Sequence, residues 1–185
     1  IVQTKNNKSA KRRQAAAERL RQEFAELSQG RWIGLQPGAR WDNKRWPVAR
    51  FVELMGLLSR SHPGHQIAIF GGPDDLALGR ALASADPGRC LDLTGRLTLP
   101  GMIEALRCVD LLVTNDTGPM HVAAALGKPV VAVFGPTDPS RTGPYGQVEF
   151  VLRAPQPPAC APCLKPVCRY SEPLACLNRI TAAQV

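Results

Sequence analysis

The sequence predicts an α/β fold, a parallel sheet with helices on both faces, preceded by a basic helical arm. Three observations carry this expectation. Short apolar runs and helical patterns alternate four times between residues 31 and 126, the order produced when helices cross over between parallel strands. Gly, Pro, Asp and Thr gather in the segments that follow the apolar runs, which places the unusual residues at the carboxyl end of such a sheet. The length of 185 residues suits one such unit with an added arm.

Taken in order, residues 5–28 hold Ala, Arg, Glu, Gln and Leu without Pro or Gly. Leu20, Phe24 and Leu27 recur there at helical spacing, so one amphipathic helix is expected, ended by Gln29-Gly30. The runs Trp32–Leu35, Gln66–Phe70, Cys90–Leu93, Leu111–Thr114 and Val130–Phe134 read as buried strands. Helices are expected between them. Pro47–Ser61 starts with Pro at a first helical position and sets Phe51, Leu54, Met55 and Leu58 on one face. Asp75–Ala85, Pro100–Cys108 and Pro119–Leu126 follow. A last strand is expected over Val148–Leu152, before Pro155, Pro157 and Pro158 stop regular structure. The chain thus divides into an arm (1–30), a sheet domain (31–154) and a cysteine-rich tail (155–185).

Composition narrows the class. Apolar residues make up 44% and charged residues 21%, which excludes disorder throughout. No apolar run reaches the length of a membrane helix, about 18 residues, and the polar, basic start is not that of a secretory signal. The chain opens on Ile1 rather than Met, as expected of a fragment. The net charge of +8 is uneven: residues 1–50 carry 12 Lys/Arg against 4 Asp/Glu, and the rest carries 11 of each. A basic front suits an anionic partner (nucleotide phosphates, a lipid surface or nucleic acid) or is a solvated helix. No nucleic-acid motif appears and aromatic residues are few in the arm, so nucleic acid is not expected as a partner.

Two loops of the expected rim carry the chemistry. Asn115-Asp116-Thr117-Gly118-Pro119-Met120-His121 joins a strand to a helix. Asp116 or Thr117 would cap that helix, Pro119 suits its first turn, and free N–H groups beside Gly118 would bind phosphate, with His121 in reach. The other reading is plain capping and a packed histidine. The loop lacks the Gly-x4-Gly-Lys-Ser/Thr pattern of a P-loop. The second loop, 36–47, sets Arg40, Lys44 and Arg45 before a helix, a cation cluster suited to a diphosphate. Trp41 and Trp46 wall a pocket there or pack, and packing is favoured for Trp46. Gly71-Gly72-Pro73-Asp74-Asp75 permits close backbone approach, with Asp74 or Asp75 expected as a helix cap. Gly135-Pro136-Thr137-Asp138-Pro139 reads only as a turn.

The run Asp116-Thr117-Gly118-Pro119-Met120-His121-Val122-Ala123-Ala124-Ala125-Leu126-Gly127, followed by Pro129 and Phe134-Gly135-Pro136-Thr137-Asp138-Pro139, resembles the lipopolysaccharide heptosyltransferases of glycosyltransferase family 9. Ile33–Arg40 with Lys44-Arg45-Trp46-Pro47, Gly71-Gly72-Pro73-Asp74 and Leu93-Thr94-Gly95 fall in that family's order. The resemblance covers about residues 31–180 and implies the C-terminal, Rossmann-like domain of a GT-B glycosyltransferase. It implies an ADP-heptose donor, an acceptor on the lipid A core, inverting transfer and no cofactor. Lys44 would contact donor phosphate or sugar, Thr117 and Gly118 the diphosphate, and Asp116 the sugar. His121 would support that site and Leu97 would lie against the base. The family's general base, an Asp, belongs to an N-terminal domain with no counterpart in residues 1–30. A cytoplasmic enzyme, peripheral on the inner membrane, is expected. The alternatives are another GT-B nucleotide-sugar enzyme, such as an epimerase, or a nucleotide-binding fragment inactive alone.

Cys160-x2-Cys163-x4-Cys168-x7-Cys176 suits a structural zinc or iron–sulfur site, two disulfides, or free packed thiols. A reducing cytoplasm disfavours disulfides, and Lys165 and Arg169 would lower nearby thiol pKa values. Cys90 and Cys108 are expected as buried thiols.

Overall fold

A computed structural model describes the backbone of residues 2–185 and the side chains of residues 9–185. Ile1 and the side chains of Lys5 and Lys8 in the basic arm therefore lie outside the described residues. The arm forms α1 (Val2–Glu23). The expected single helix to residue 28 instead breaks at Phe24, whose φ of −140° leaves the helical region, and resumes as a 3₁₀ turn over Ala25–Ser28. The break lets Leu20, Phe24 and Leu27 all bury in one core layer.

Six parallel strands form the sheet: β1 (Trp32–Gln36), β2 (Gln66–Ile69), β3 (Cys90–Asp92), β4 (Leu111–Asn115), β5 (Val130–Val133) and β6 (Val151–Leu152). The crossovers are α2 (Val48–Ser61), α3 (Leu76–Ala85), α4 (Leu99–Cys108) and α5 (Gly118–Ala125). The last expected strand shrinks to two residues, because Val148–Phe150 forms a 3₁₀ turn instead. Pro47 sits one residue before α2, as its N-cap.

Strand alternation divides the core in two. Trp32, Ala68, Phe70, Leu112, Ala132 and Phe134 face one layer with α1, α4 and α5. Ile33, Leu35, Ile67, Ile69, Val113 and Val133 face the other, against α2, α3 and the tail. The tail folds back onto this second layer. Leu177, Ile180 and Ala182 are buried there, and the Trp46 indole donates to the Ile180 carbonyl at 3.0 Å. Trp46 therefore packs, edge-on to Phe51 with ring centroids 4.9 Å apart.

The strand order is β3-β2-β1-β4-β5-β6. Chain direction across the sheet reverses between β1 and β4, and such a switch point opens a crevice outside the strands' carboxyl ends. The two chemically marked loops leave β1 and β4, so both border that crevice.

Candidate functional site

Asn115, the last residue of β4, staples the two loops together. Its side chain donates to the Pro37 carbonyl at 2.8 Å and accepts from the Trp46 N–H at 3.0 Å. Both ends of the β1–α2 loop are thereby tied to β4. Within the loop, Asp42–Lys44 forms a 3₁₀ turn that aims Lys44 at the next residue of the β4 loop. Lys44 Nζ lies 2.6 Å from Asp116 Oδ2 and 4.8 Å from the centre of the Trp41 ring. Thr137, on the loop after β5, donates its hydroxyl to the same Asp116 oxygen at 2.7 Å. Next to it, the Ser140 hydroxyl, and then its N–H, hold the Asp138 carboxyl below the usual carboxylate range.

The expected cap on α5 is absent. Thr117 occupies the N-cap position with extended backbone but makes no side-chain cap bond; its hydroxyl sits 3.2 Å from that of Thr114. Asp116 is taken up by Lys44 and Thr137. The first-turn N–H groups of α5 are thus left without a side-chain acceptor, the condition for binding an anion. A Cβ added at Gly118 would meet nothing within 4 Å, so the approach is open.

Arg40, Lys44, Leu97, Asp116, Thr117, Gly118 and His121 all line one cavity of about 790 Å3, within the range of small-molecule sites. Arg40 is exposed and forms no ion pair among the described residues; His121 is exposed at the rim. Leu97 is half-buried, and Leu99 and Met102 extend its apolar wall. Arg45 lines the same cavity, but its guanidinium is engaged by the protein, 3.1 Å from Asp42 and 3.7 Å from Asp75, while its Nε donates to the Ala39 carbonyl at 3.0 Å. Asp75 stands at the N-cap position of α3, as expected, but makes no side-chain cap bond to that helix. Its Oδ2 instead accepts the Gly72 N–H at 3.0 Å, completing a capping box on the 3₁₀ turn Pro73–Asp75 that leads into α3.

Thr137 and Asn43 were not singled out by their residue types. Asn43 donates to the Lys165 carbonyl at 2.7 Å, and the Leu164 N–H donates to the Pro136 carbonyl at 2.8 Å. The cysteine tail therefore grips the two loops that carry Lys44 and Thr137, the partners of Asp116. Only the spacing of the folded chain brings these partners together.

Cys160, Cys163, Cys168 and Cys176 line one small cavity beside Asn43 and Pro136, and all six cysteines are free thiols. Among the described residues no three His, Cys, Asp or Glu are arranged to hold a metal ion. Burial, and then the neighbouring thiols, push Cys176 up to about 11. Burial also pushes Cys90 up to about 11 and raises Cys108.

A profile of glycosyltransferase family 9 (heptosyltransferase) matches residues 2–173. Lipopolysaccharide heptosyltransferase 2 of Salmonella typhimurium is 36% identical over 136 residues, which covers 71% of this chain and 38% of the relative. Lipopolysaccharide heptosyltransferase 1 of Pseudomonas aeruginosa is 33% identical over 151 residues, covering 81% of this chain and 41% of the relative. The solved structure of the E. coli ADP-heptose heptosyltransferase II superposes with a TM-score of 0.71 at 27% identity, over 92% of this chain and 48% of that one. An E. coli heptosyltransferase solved with ADP superposes with a TM-score of 0.62 at 28% identity, over 84% of this chain and 42% of that one. The chain thus spans about two fifths of the length of the curated relatives it matches.

Proposed function

The chain belongs to glycosyltransferase family 9, and from that premise we propose that it is the donor-binding half of an inverting heptosyltransferase. The observation that carries this reading is convergence. Two cations, Arg40 and Lys44, meet an uncapped helix N-terminus in one cavity at the sheet's switch point. That combination selects a diphosphate.

The residues divide the work by chemistry. Lys44, Arg40 and the α5 N–H groups hold the diphosphate and steady the charge it gains as the leaving group. Asp116 accepts hydroxyls of the donor sugar, with His121 beside it at the rim. Leu97 supplies an apolar wall for the base. The acceptor hydroxyl of a lipopolysaccharide core attacks the anomeric carbon, the bond to the diphosphate breaks, and ADP leaves. The proton passes to a general base that residues 31–154 do not supply; the relatives' remaining length is where we place it. No cofactor enters these steps. Another GT-B nucleotide-sugar enzyme, with a different donor nucleotide or epimerase activity, or nucleotide binding without transfer by this chain alone, is the second reading.

Among the described residues no helix is long and apolar enough to cross a membrane. The exposed Lys11 and Arg12 on α1 support peripheral contact with the anionic inner face of the inner membrane, where the acceptor would be. Reversing the charges at Lys11, Arg12 and Arg13 should abolish co-sedimentation with anionic liposomes; unchanged binding contradicts the contact.

Calorimetric titration with ADP, UDP and GDP tests the donor reading. It requires ADP to bind most tightly. A preference for UDP or GDP moves the protein to another donor, and binding of none of the three contradicts a donor site in this chain.

A further inference from the structure

Thr137 reaches Asp116 from the loop that follows β5. It lies 21 residues further along the chain, is 6% exposed and is not among the residues that line the cavity. Its hydroxyl nevertheless falls on Asp116 Oδ2, the oxygen already held by Lys44. A carboxylate offers about four lone-pair sites on two oxygens. Here both protein donors converge on one oxygen, and Asp116 Oδ1 accepts no hydrogen bond from any described residue.

The geometry has a consequence for how Asp116 is held. The terminal torsion of Asp is broad, so a carboxylate with one flexible donor can turn. Lys44 is such a donor, a point charge on a long stem, and it also faces the part of the cavity where anions would bind. Thr137 is short, β-branched and buried, so its hydroxyl stays in place when Lys44 turns toward a phosphate. The loop that carries it is itself anchored. The tail's Leu164 N–H holds the Pro136 carbonyl, and the Asp138 carboxylate caps the following turn by accepting from the Ser140 N–H at 3.0 Å.

We propose that Thr137 is a positioning residue that fixes the Asp116 carboxylate, keeping Oδ2 inward and leaving Oδ1 for the sugar of the bound nucleotide sugar. It therefore sets affinity for the sugar and not for the nucleotide. The proposal rests on the donor-site reading above.

The test compares ADP with ADP-heptose by calorimetric titration into the whole 185-residue chain, unmodified and as Thr137→Val, Thr137→Ala and Thr137→Ser. Loss of a hydrogen bond to a charged group should weaken ADP-heptose about tenfold in the Val and Ala variants and ADP by less than about twofold. The Ser variant, which keeps the hydroxyl, should recover most of the loss. If Val is not accommodated and unfolds the chain, the Ala variant carries the same expected split. Equal weakening of both ligands, no change in either, or no recovery in the Ser variant would overturn the proposal and leave the donor site standing. An unmodified chain that binds neither ligand overturns the donor-site reading and this proposal together.

Discussion

Asp116 and Asp75 begin from the same ingredients and end in different roles. Each precedes a helix on the carboxyl rim of the sheet, and each faces one of two adjacent cations on the β1–α2 loop, Lys44 and Arg45. Their burial is nearly equal, 8% and 9% exposed, so burial does not separate them. What separates them is the oxygen left over. Asp75 turns Oδ2 to the Gly72 N–H and Oδ1 toward Arg45, and its carboxylate is packed against Gly38. One oxygen closes a turn, and the other, which accepts no hydrogen bond among the described residues, faces a guanidinium at 3.7 Å. Asp116 takes two donors on Oδ2 and none from the described residues on Oδ1. A binding residue is marked here by an acceptor the fold does not consume.

The largest effect should come from breaking the Lys44 pair. Lys44→Met leaves the Asp116 charge buried without its counter-ion and should cost about 3 kcal/mol in urea unfolding. Adding Asp116→Asn should return most of that loss; a double variant as unstable as the single would show that the pair is not the cause. Next is Gly38→Ala. A Cβ there would collide with the Asp75 carboxylate, and overpacking of this kind costs about 1–3 kcal/mol. In an Asp75→Ala background the same substitution should cost almost nothing, a coupling that two independent sites would not show. Smaller again is Arg45→Met. Its ion pairs are looser and partly solvated, so the loss should stay below about 1 kcal/mol. A loss equal to that of Lys44→Met would erase the contrast between the two cations.

The tail supplies the smallest and most pH-dependent effect. Cys90 and Cys176 are raised from 9.0 to about 11. The folded chain keeps protons that the unfolded chain gives up near pH 9.0, so these thiols contribute stability below that pH which is lost as pH rises through about 11. The unfolding midpoint should fall over that window and fall less in Cys176→Ala. At pH 7.5 iodoacetamide should label exposed Cys160 first and Cys90 and Cys176 last, read by mass spectrometry. Early labelling of Cys176 would contradict its burial.

Much of this fold is legible in the sequence because apolar runs and helix punctuation are local signals. All five core strands and four crossover helices stand where the residue pattern puts them, within a residue or two at their ends. The break at Phe24 is not legible, because Leu20, Phe24 and Leu27 keep helical spacing across it. The site is half legible. Lys44, Asp116 and Gly118 belong to loops whose composition marks them. The roles of Asp75 and Arg45 are hidden, since a capping aspartate and a free arginine look the same until their partners are known. Thr137 and Asn43 are hidden for a related reason. Their partners lie 21 and 122 residues away, and nothing local in a Pro-Thr-Asp turn or an Asp-Asn-Lys step announces them.

The central claim is that Lys44, and not its neighbour Arg45, belongs to the diphosphate site. Titrating ADP into Lys44→Met and Arg45→Met side by side, both checked as folded by circular dichroism, tests it directly. Loss of a charge-assisted contact should weaken ADP by at least about tenfold in Lys44→Met, while Arg45→Met stays within about twofold of the unmodified chain. Equal weakening in the two variants, or a larger loss in Arg45→Met, would contradict the account.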